Sequence, residues 1–427
     1  METTSDTVRQ EMESIIPILE KVQEASLQMR ALGDQQKKDI LYTLATLVKE
    51  NNVNIIEENQ KDLVRMADSD PKKDRLLLNH DRIQGLVESI NQVAKLPDPT
   101  QQVISILKKE NGLTVQKITS PLGVVGLIYE SRPNVTIDVA ALCIRSGNAG
   151  VMRGGSDAYH SNKYLVSLIH QALEKNGVNK DAFALLPTNR KFVKEMLEAD
   201  QYIDIIIPRG SQELIDFVRA NSTVPTIETG AGVCHTFVSA SADLNKAADI
   251  VVNAKVSRPS VCNALDTILV DRSVAAQFLP MIMDGMNEYQ VQIYADDSAY
   301  EILEKHDFPR IKRAQPEDFG REFLDYKCSV KVVNDMDEAL AHIRKFSSKH
   351  SEAIISEDSK QCENFLQTVD AAAVFANAST RFTDGAEFGL GAEIGISTQK
   401  LHARGPFALE KLTTEKWVVR GDGQVRW

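Results

Sequence analysis

Helical spacing of apolar residues dominates the start of this chain. Over roughly the first 65 residues the periodic positions read as helix; Ile40, Leu41, Leu44, Leu47 and Val48 share one helical face, and Gly33-Asp34 supplies a start signal. That face is expected to serve packing. From about residue 120 the pattern changes to short apolar runs alternating with amphipathic stretches. Residues 122–129 read as a buried strand. Val135, Val139, Leu142 and Cys143 mark a helix face ended by Ser146-Gly147-Asn148, and 150–152 is another short strand. Leu165, Leu168, Ile169, Ala172 and Leu173 mark the next helix, ended by Asn176-Gly177. Residues 203–207 then read as a strand and 212–220 as a helix. A second series holds the apolar runs 267–270, 330–333, 353–355 and 371–375, with a helix over 337–346. Such alternation implies βαβ units and parallel sheets. Two α/β domains follow, divided near residues 233–240. The polar strand candidate at 112–119 and the tail at 416–427 fit neither domain and are expected to be edge strands used in subunit contact. There is no internal repeat and no low-complexity segment.

A length of 427 residues suggests two or three domains. Apolar content of 43% and charged content of 26% suit a soluble globular protein. The net charge of −11 argues against nucleic acid or acidic lipid as a main partner. It leaves room for a small anionic ligand held by local arginines. Five scattered cysteines without a CxxC pair argue against a disulfide framework, a zinc site or any other metal centre, and a reducing compartment is expected. The polar, acidic start is unlike a signal peptide. The apolar run at 121–129 is far shorter than the ~20 residues of a membrane span. The expectation is a cytoplasmic protein with no membrane partner.

Cys262 carries the most chemical information. It lies in Val256-Ser257-Arg258-Pro259-Ser260-Val261-Cys262-Asn263-Ala264. A thiol near a cation, a proline turn and an amide is placed as a nucleophile, because positive charge favours the reactive thiolate. Cys143, inside an apolar run, reads as structural. Two glycine turns lie between strand and helix: Met152-Arg153-Gly154-Gly155-Ser156-Asp157 and Ile207-Pro208-Arg209-Gly210-Ser211. Either is open to a bland reading as a tight turn. Together in one βαβ domain they favour a nucleotide at helix N-termini, and Arg153 and Arg209 suit phosphate, including a 2′-phosphate. Gly389-Leu390-Gly391 with Gly395 has the wrong spacing for a dinucleotide fingerprint. No Walker A, GxSxG or HExxH sequence occurs. Asn134, in Tyr129-Glu130-Ser131-Arg132-Pro133-Asn134, has two open readings: an oxyanion-stabilising amide or a helix cap. Glu228 reads as a base. Cys234 and His235 are neighbours that point apart on a strand, so Cys234 reads as structural and His235 stays open.

These segments together resemble the gamma-glutamyl phosphate reductase family, a proline-biosynthesis branch of the aldehyde dehydrogenase superfamily. The likeness runs from about Pro121 to the C-terminus. It includes Gly126-Leu-Ile-Tyr-Glu-Ser-Arg-Pro-Asn134, Ser146-Gly-Asn148, Arg153-Gly-Gly-Ser156, Pro208-Arg-Gly210, Asn253-Ala-Lys255, Arg258-Pro259 and Val261-Cys-Asn263. The longest blocks are Asn377-Ala-Ser-Thr-Arg-Phe-Thr-Asp-Gly385 and the run from Glu387 to Gly405. One departure stands out: Lys255-Val256-Ser257-Arg258-Pro259 where Lys-Thr-Gln-Arg-Pro is expected.

The resemblance implies an aldehyde dehydrogenase-like α/β fold with two Rossmann-like domains and a small oligomerisation β-extension. Its division would be 1–235 for the N-terminal helices and NADPH-binding domain, 236–375 for the catalytic domain, and 376–427 for a segment returning to the cofactor domain. That segment would build the extension with about 108–120. By the resemblance, Cys262 is the nucleophile and Asn134 the oxyanion amide. Arg153, Gly154, Gly155, Ser156, Gly210, Ser211 and Glu322 hold the cofactor. Arg132, Arg258 and Arg381 are candidates for the substrate's phosphate and carboxylates. The implied reaction is NADPH-dependent reduction of L-glutamyl 5-phosphate to L-glutamate 5-semialdehyde through a Cys262 thioester. A homo-oligomer and association with a glutamate 5-kinase are expected partners. Two other readings compete. A hydrolytic NAD-dependent aldehyde dehydrogenase would use Glu228 as base, and its oxidation would need no phosphate. A non-catalytic binding protein would show no selective alkylation of Cys262.

Overall fold

The structure, a computed structural model, describes residues 13–67, 70 and 72–426. The chain forms two compact units: one runs to Ile227 and resumes at Ala408, the other is Glu228–Phe407.

The first unit begins with α1 (Ile16–Ala31), α2 (Asp34–Glu50), α3 (Asn52–Leu63), α4 (Lys72–Leu76) and α5 (His80–Lys95). The apolar face expected on α2 is buried, with Gly33 at its N-cap. The sequence reading placed nothing at α5, although Ile83, Leu86, Val87, Ile90 and Val93 form a buried face there. Its start is set by Asn79, whose side-chain oxygen accepts from the Arg82 N–H at 2.9 Å.

Next come β1 (Val103–Lys108) and β2 (Thr114–Pro121), an antiparallel pair. The C-terminal strand Thr413–Arg420 adds antiparallel to the other side of β2. The segment expected as an edge strand at 112–119 is therefore the middle of three strands; the edges are β1 and Thr413–Arg420.

A four-stranded parallel sheet follows. Its elements are β3 (Val124–Tyr129), α6 (Asn134–Ser146), β4 (Ala149–Gly154), α7 (Tyr159–Lys175), β5 (Phe183–Leu185), α8 (Lys191–Leu197), β6 (Ile205–Arg209) and α9 (Gln212–Asn221). The strand order is β5-β4-β3-β6. All of β3 is buried, which is why it reads as a continuous apolar run rather than an alternating one. Helix α6 stops at Gly147, at φ 72°, where the Asn148 N–H donates to the Cys143 carbonyl at 2.8 Å. The strand order reverses between β3 and β6, a topological switch point, and ligands of such sheets sit outside the carboxyl ends there.

The second unit holds β7 (Cys234–Val238), α10 (Leu244–Val256), β8 (Leu265–Asp271), α11 (Arg272–Glu288), β9 (Gln292–Ala295), α12 (Asp297–Lys305), β10 (Ile311–Arg313), β11 (Lys327–Val333), α13 (Met336–Phe346), β12 (Ser351–Ile355), α14 (Ser359–Thr368) and β13 (Ala373–Ala376). Its seven-stranded sheet has the order β10-β9-β11-β8-β7-β12-β13, and every pairing is parallel. A separate pair, β14 (Glu393–Ser397) and β15 (Gly405–Ala408), closes the unit.

The observed division differs from the expected boundaries at 235 and 375. β7 pairs with both β8 and β12 in the middle of the second sheet, so the residues leading into it go with that unit. Residues 376–407 also stay there. Asn263 donates to the Thr383 carbonyl at 2.9 Å, and the Thr380 hydroxyl donates to the Asn263 carbonyl at 2.8 Å. Only the stretch from Ala408 returns to the first unit. Among the described residues no helix is long and apolar enough to cross a membrane.

Candidate active site

In the second unit the site is built around Cys262, in the loop between α10 and β8. Of the five free cysteines, four are buried and Cys262 is partly exposed. Burial pushes the thiols of Cys143 and Cys328 up to about 12 and raises those of Cys234 and Cys362. Such thiols are protonated and inert near neutral pH. Cys262 is thus the thiol placed for chemistry.

Its backbone rests on Gly232. A methyl group at Gly232 would lie 1.7 Å from the Cys262 carbonyl oxygen and 2.8 Å from its Cα. Both are backbone atoms that cannot move aside, so only glycine fits. The Gly232 N–H donates to Glu322 Oε1 at 2.8 Å, and the Cys234 thiol donates to the Cys262 carbonyl at 3.3 Å. Burial pushes the Glu322 carboxyl above its ordinary range, and that N–H opposes the shift. Glu322 therefore braces the loop that carries Cys262. The adjacent Phe323 N–H donates to Asp266 Oδ1 at 3.1 Å. Burial pushes Asp266 up to about 6 against the attraction of Lys255, whose buried Nζ donates to the Lys327 carbonyl at 2.7 Å.

Two candidate arginines share this environment. Arg381 Nη1 donates to Asn263 Oδ1, and its Nε donates to Ser257 Oγ at 3.1 Å. Burial, then the charge of Arg258, lowers the Arg381 guanidinium from its ordinary value; Asp384 and Cys262 act the other way. Arg381, Arg258 and the Cys262 sulfur are therefore electrostatic neighbours. Ser257, one of the two positions that depart from the expected motif, supplies the hydroxyl that receives Arg381. Glu228 is half-buried, and its backbone N–H donates to Gln399 Oε1 at 3.0 Å.

Cys234 and His235 are both buried. His235 Nδ1 bonds Glu352 Oε2 at 3.0 Å, and both side chains are fully buried. His350, whose Nδ1 lies 4.0 Å from the Cys234 sulfur, is pushed down to about 4 by burial. It is neutral at working pH and offers Cys234 no cation.

In the first unit the candidates gather at the carboxyl ends of β3, β4 and β6. Ser131 takes φ 43°, and its hydroxyl donates to Asp157. Arg132 is half-buried beside it. The N-cap of α6 is Pro133, with no side-chain cap bond. Asn134 is therefore not a cap; its Nδ2 donates to Asp138 Oδ2 at 3.0 Å instead.

Arg153 ends β4. Its Nη2 donates to the Thr188 carbonyl at 2.8 Å, and its buried Nε has no hydrogen-bond partner among the described residues. Gly154 and Gly155 answer to the protein's own packing. Added methyl groups would meet Asn162 Nδ2 at 2.2 Å and Asp157 Oδ1 at 2.1 Å. Ser156 is exposed, and its carbonyl accepts from Arg65 Nη1 at 3.3 Å. At β6, Ser211 caps α9 by accepting from the Leu214 N–H at 3.4 Å. The Ser211 N–H is already taken by Glu130 Oε2 at 3.1 Å. The same oxygen lies 2.6 Å from where a Gly210 methyl would sit.

Glu130, Asp138, Gly232 and Asn263 are the site residues the sequence reading gave no task. Glu130 and Asn263 lie inside motif blocks that were read for other residues, and Gly232 ends the Gly230-Ala231-Gly232 turn. Asp138 has only its i+4 spacing from Asn134 as a signal.

An orphaned guanidinium nitrogen at Arg153 and a parallel-sheet switch point fit a phosphate-bearing dinucleotide. A partly exposed thiol with the Arg381 guanidinium as an electrostatic neighbour fits an anionic acyl substrate. The sequence model of the aldehyde dehydrogenase family matches residues 2–302. Gamma-glutamyl phosphate reductase of Chlorobium phaeobacteroides is 52% identical over 415 residues, covering 97% of this chain and 99% of that protein. The protein of the same name from Legionella pneumophila is 50% identical over 412 residues, covering 96% and 98%. The solved gamma-glutamyl phosphate reductase from Thermotoga maritima superposes with a TM-score of 0.93 at 41% identity, covering 97% of this chain and 100% of that one. The glyceraldehyde-3-phosphate dehydrogenase of Methanocaldococcus jannaschii, complexed with NADP, shares the fold with a TM-score of 0.69 at 17% identity, covering 95% and 94%. This chain therefore belongs to the gamma-glutamyl phosphate reductases, a group of oxidoreductases within the aldehyde dehydrogenase family.

Proposed function

We propose that this protein reduces L-glutamyl 5-phosphate to L-glutamate 5-semialdehyde and phosphate in proline biosynthesis, with NADPH as reductant and a thioester on Cys262 as intermediate. The observation that carries the reading is the setting of Cys262, the one cysteine not buried, with Arg258 and Arg381 as charged neighbours. An acyl phosphate bears its negative charge on the leaving group, and guanidinium groups beside the nucleophile suit it.

Cys262 Sγ bonds to the acyl carbon. The bond from that carbon to the phosphate oxygen breaks, and phosphate leaves with the electron pair, leaving the thioester. Sulfur suits this step because it is nucleophilic at neutral pH and leaves readily afterwards. When bound, NADPH supplies the hydride that reduces the thioester carbon. The carbon–sulfur bond then breaks, releasing the aldehyde and restoring the thiolate. Both tetrahedral species carry an oxyanion, for which the Asn134 amide and the Cys262 backbone N–H are the donors. One such donor is worth about 3 kcal/mol.

For the cofactor, Arg153 and Arg209 at the ends of β4 and β6 suit a 2′-phosphate, with the Gly154-Gly155-Ser156 and Gly210-Ser211 turns beside them. Glu322 holds the nicotinamide ribose in this reading. The exposed apolar residues Val103, Ile106, Leu107, Trp417 and Val419 on β1 and the C-terminal strand suit a contact between subunits of a homo-oligomer. A lability-prone acyl phosphate favours association with the glutamate 5-kinase that makes it. The free thiols suit the cytoplasm.

One assay tests the reaction: NADP reduction with glutamate semialdehyde, with and without phosphate, and again with NAD. Reduction is expected only with phosphate and preferentially with NADP. Phosphate-independent oxidation would instead point to hydrolysis with Glu228 as base.

A further inference from the structure

We propose that Asp138 is the positioning residue that orients the amide of Asn134; the inference rests on the reading of Asn134 as an oxyanion donor. The two ends of an asparagine amide have nearly the same shape, and only the NH2 end donates. An oxyanion donor with no local partner would spend part of its time with its carbonyl oxygen turned toward the developing charge. Asn134 opens α6 and Asp138 lies one turn on, so the two side chains share a face. An ionised carboxylate only accepts. It therefore holds the Nδ2 end, at 3.0 Å, and repels the Oδ1 end. One Nδ2 hydrogen is spent on Asp138 and the other remains for a ligand.

The carboxylate is itself held. Ser89 Oγ, from α5, donates to Asp138 Oδ1 at 3.3 Å, so each carboxylate oxygen has its own donor. Burial, the largest influence, pushes the Asp138 carboxyl above its ordinary range; the bonds from Asn134 and Ser89 and the charge of Arg209, at the end of β6, oppose that shift and favour the ionised form. Three elements, α5, α6 and β6, thus converge on one carboxylate whose free face meets the candidate catalytic amide. A plain helix-stabilising pair needs only the i, i+4 spacing. It does not require the anchoring hydroxyl from α5 or the arginine from β6.

A double-mutant cycle tests this, using steady-state kinetics with semialdehyde, phosphate and NADP and a thermal melt of each variant. Asn134→Ala is expected to lower kcat about 100-fold or more. Asp138→Asn keeps the shape but offers either amide end. It is expected to lower kcat about 10-fold with little change in KM and to leave the melting temperature within a few degrees. The pair of substitutions together is expected to be no slower than Asn134→Ala alone, because Asp138 acts only through that amide. Multiplying losses would overturn the proposal, as would an Asp138→Asn enzyme of full kcat beside a crippled Asn134→Ala. If Asn134→Ala itself kept full kcat, the oxyanion reading would fall, which is a separate result. Should Asp138→Asn fail to fold, Ser89→Ala takes its place. It loosens the same carboxylate and is expected to lower kcat several-fold in the parent and to have no further effect in the Asn134→Ala variant.

Discussion

The first unit carries its candidate residues at the carboxyl ends of β3, β4 and β6, where parallel sheets normally bind ligands. The second does the reverse. Gly232 precedes β7, Cys262 precedes β8 and Glu322 precedes β11, so its chemistry lies at the amino ends of the strands. There the candidate site is made from segments clamped onto one another: Gly232 against the Cys262 backbone, Glu322 on Gly232, Asn263 on the Thr380–Thr383 turn. The glycines also differ in what they serve. In the first unit Gly154, Gly155 and Gly210 make room for Asn162, Asp157 and Glu130, side chains of the protein itself. In the second, Gly232 makes room for the Cys262 backbone. A glycine in a motif therefore says that something comes close, and only the tertiary packing says what.

The largest expected effect separates Cys262 from the buried thiols. Cys262→Ala should cut turnover by on the order of 10⁴-fold or more while NADPH titration by fluorescence stays unchanged. Cys143→Ala and Cys328→Ala should stay within a few-fold of the parent. Turnover above about one per cent of normal in Cys262→Ala would remove the chemical distinction on which the comparison stands.

A smaller effect is expected from the arginine clamped in the second unit. Arg381→Met should raise the KM for phosphate about 10- to 100-fold, the worth of a charge-assisted hydrogen bond. Alkylation of Cys262 by neutral iodoacetamide should slow, because a charge that favours the thiolate is gone. An unaltered KM would move the anion-holding task to Arg258 or Arg132.

The smallest effect probes the first unit's glycines. Gly210→Ala drives a methyl group to 2.6 Å from Glu130 Oε2 and should cost about 1–3 kcal/mol of stability in urea unfolding. Adding Glu130→Ala should restore part of that. A Gly210→Ala protein of normal stability but weakened NADPH binding would show that the glycine serves the ligand instead.

Elements with a strong local signal were legible. The α2 face, the α6 stop at Gly147 and the wholly apolar β3 all declared themselves in sequence. The position of β7 was not: Cys234-His235-Thr236-Phe237-Val238 looked like a boundary yet sits in the middle of a seven-stranded sheet. His235 Nδ1 meets Glu352, a residue far along the chain, and no local pattern records such a partner. The thiol and the glycine turns of the site were visible for the same reason that α2 was, since neighbours in sequence carried the signal. Gly232 against Cys262, Glu130 on Ser211 and Ser89 on Asp138 were not, because each joins segments that meet only after folding.

By itself, the sequence determined the alternation of strands and helices, the thiol that stands apart from the others, and the motif blocks that name the family. Hydrophobic period and residue chemistry are local properties, and they survive in a one-dimensional string. The tertiary structure decided that a carboxylate occupies the α9 N-terminus, that Asn134 bonds Asp138 rather than capping its helix, and that Arg381 and Arg258 share the surroundings of Cys262. Those outcomes depend on contacts a few ångströms long between residues far apart in sequence, which only a packed fold can bring together.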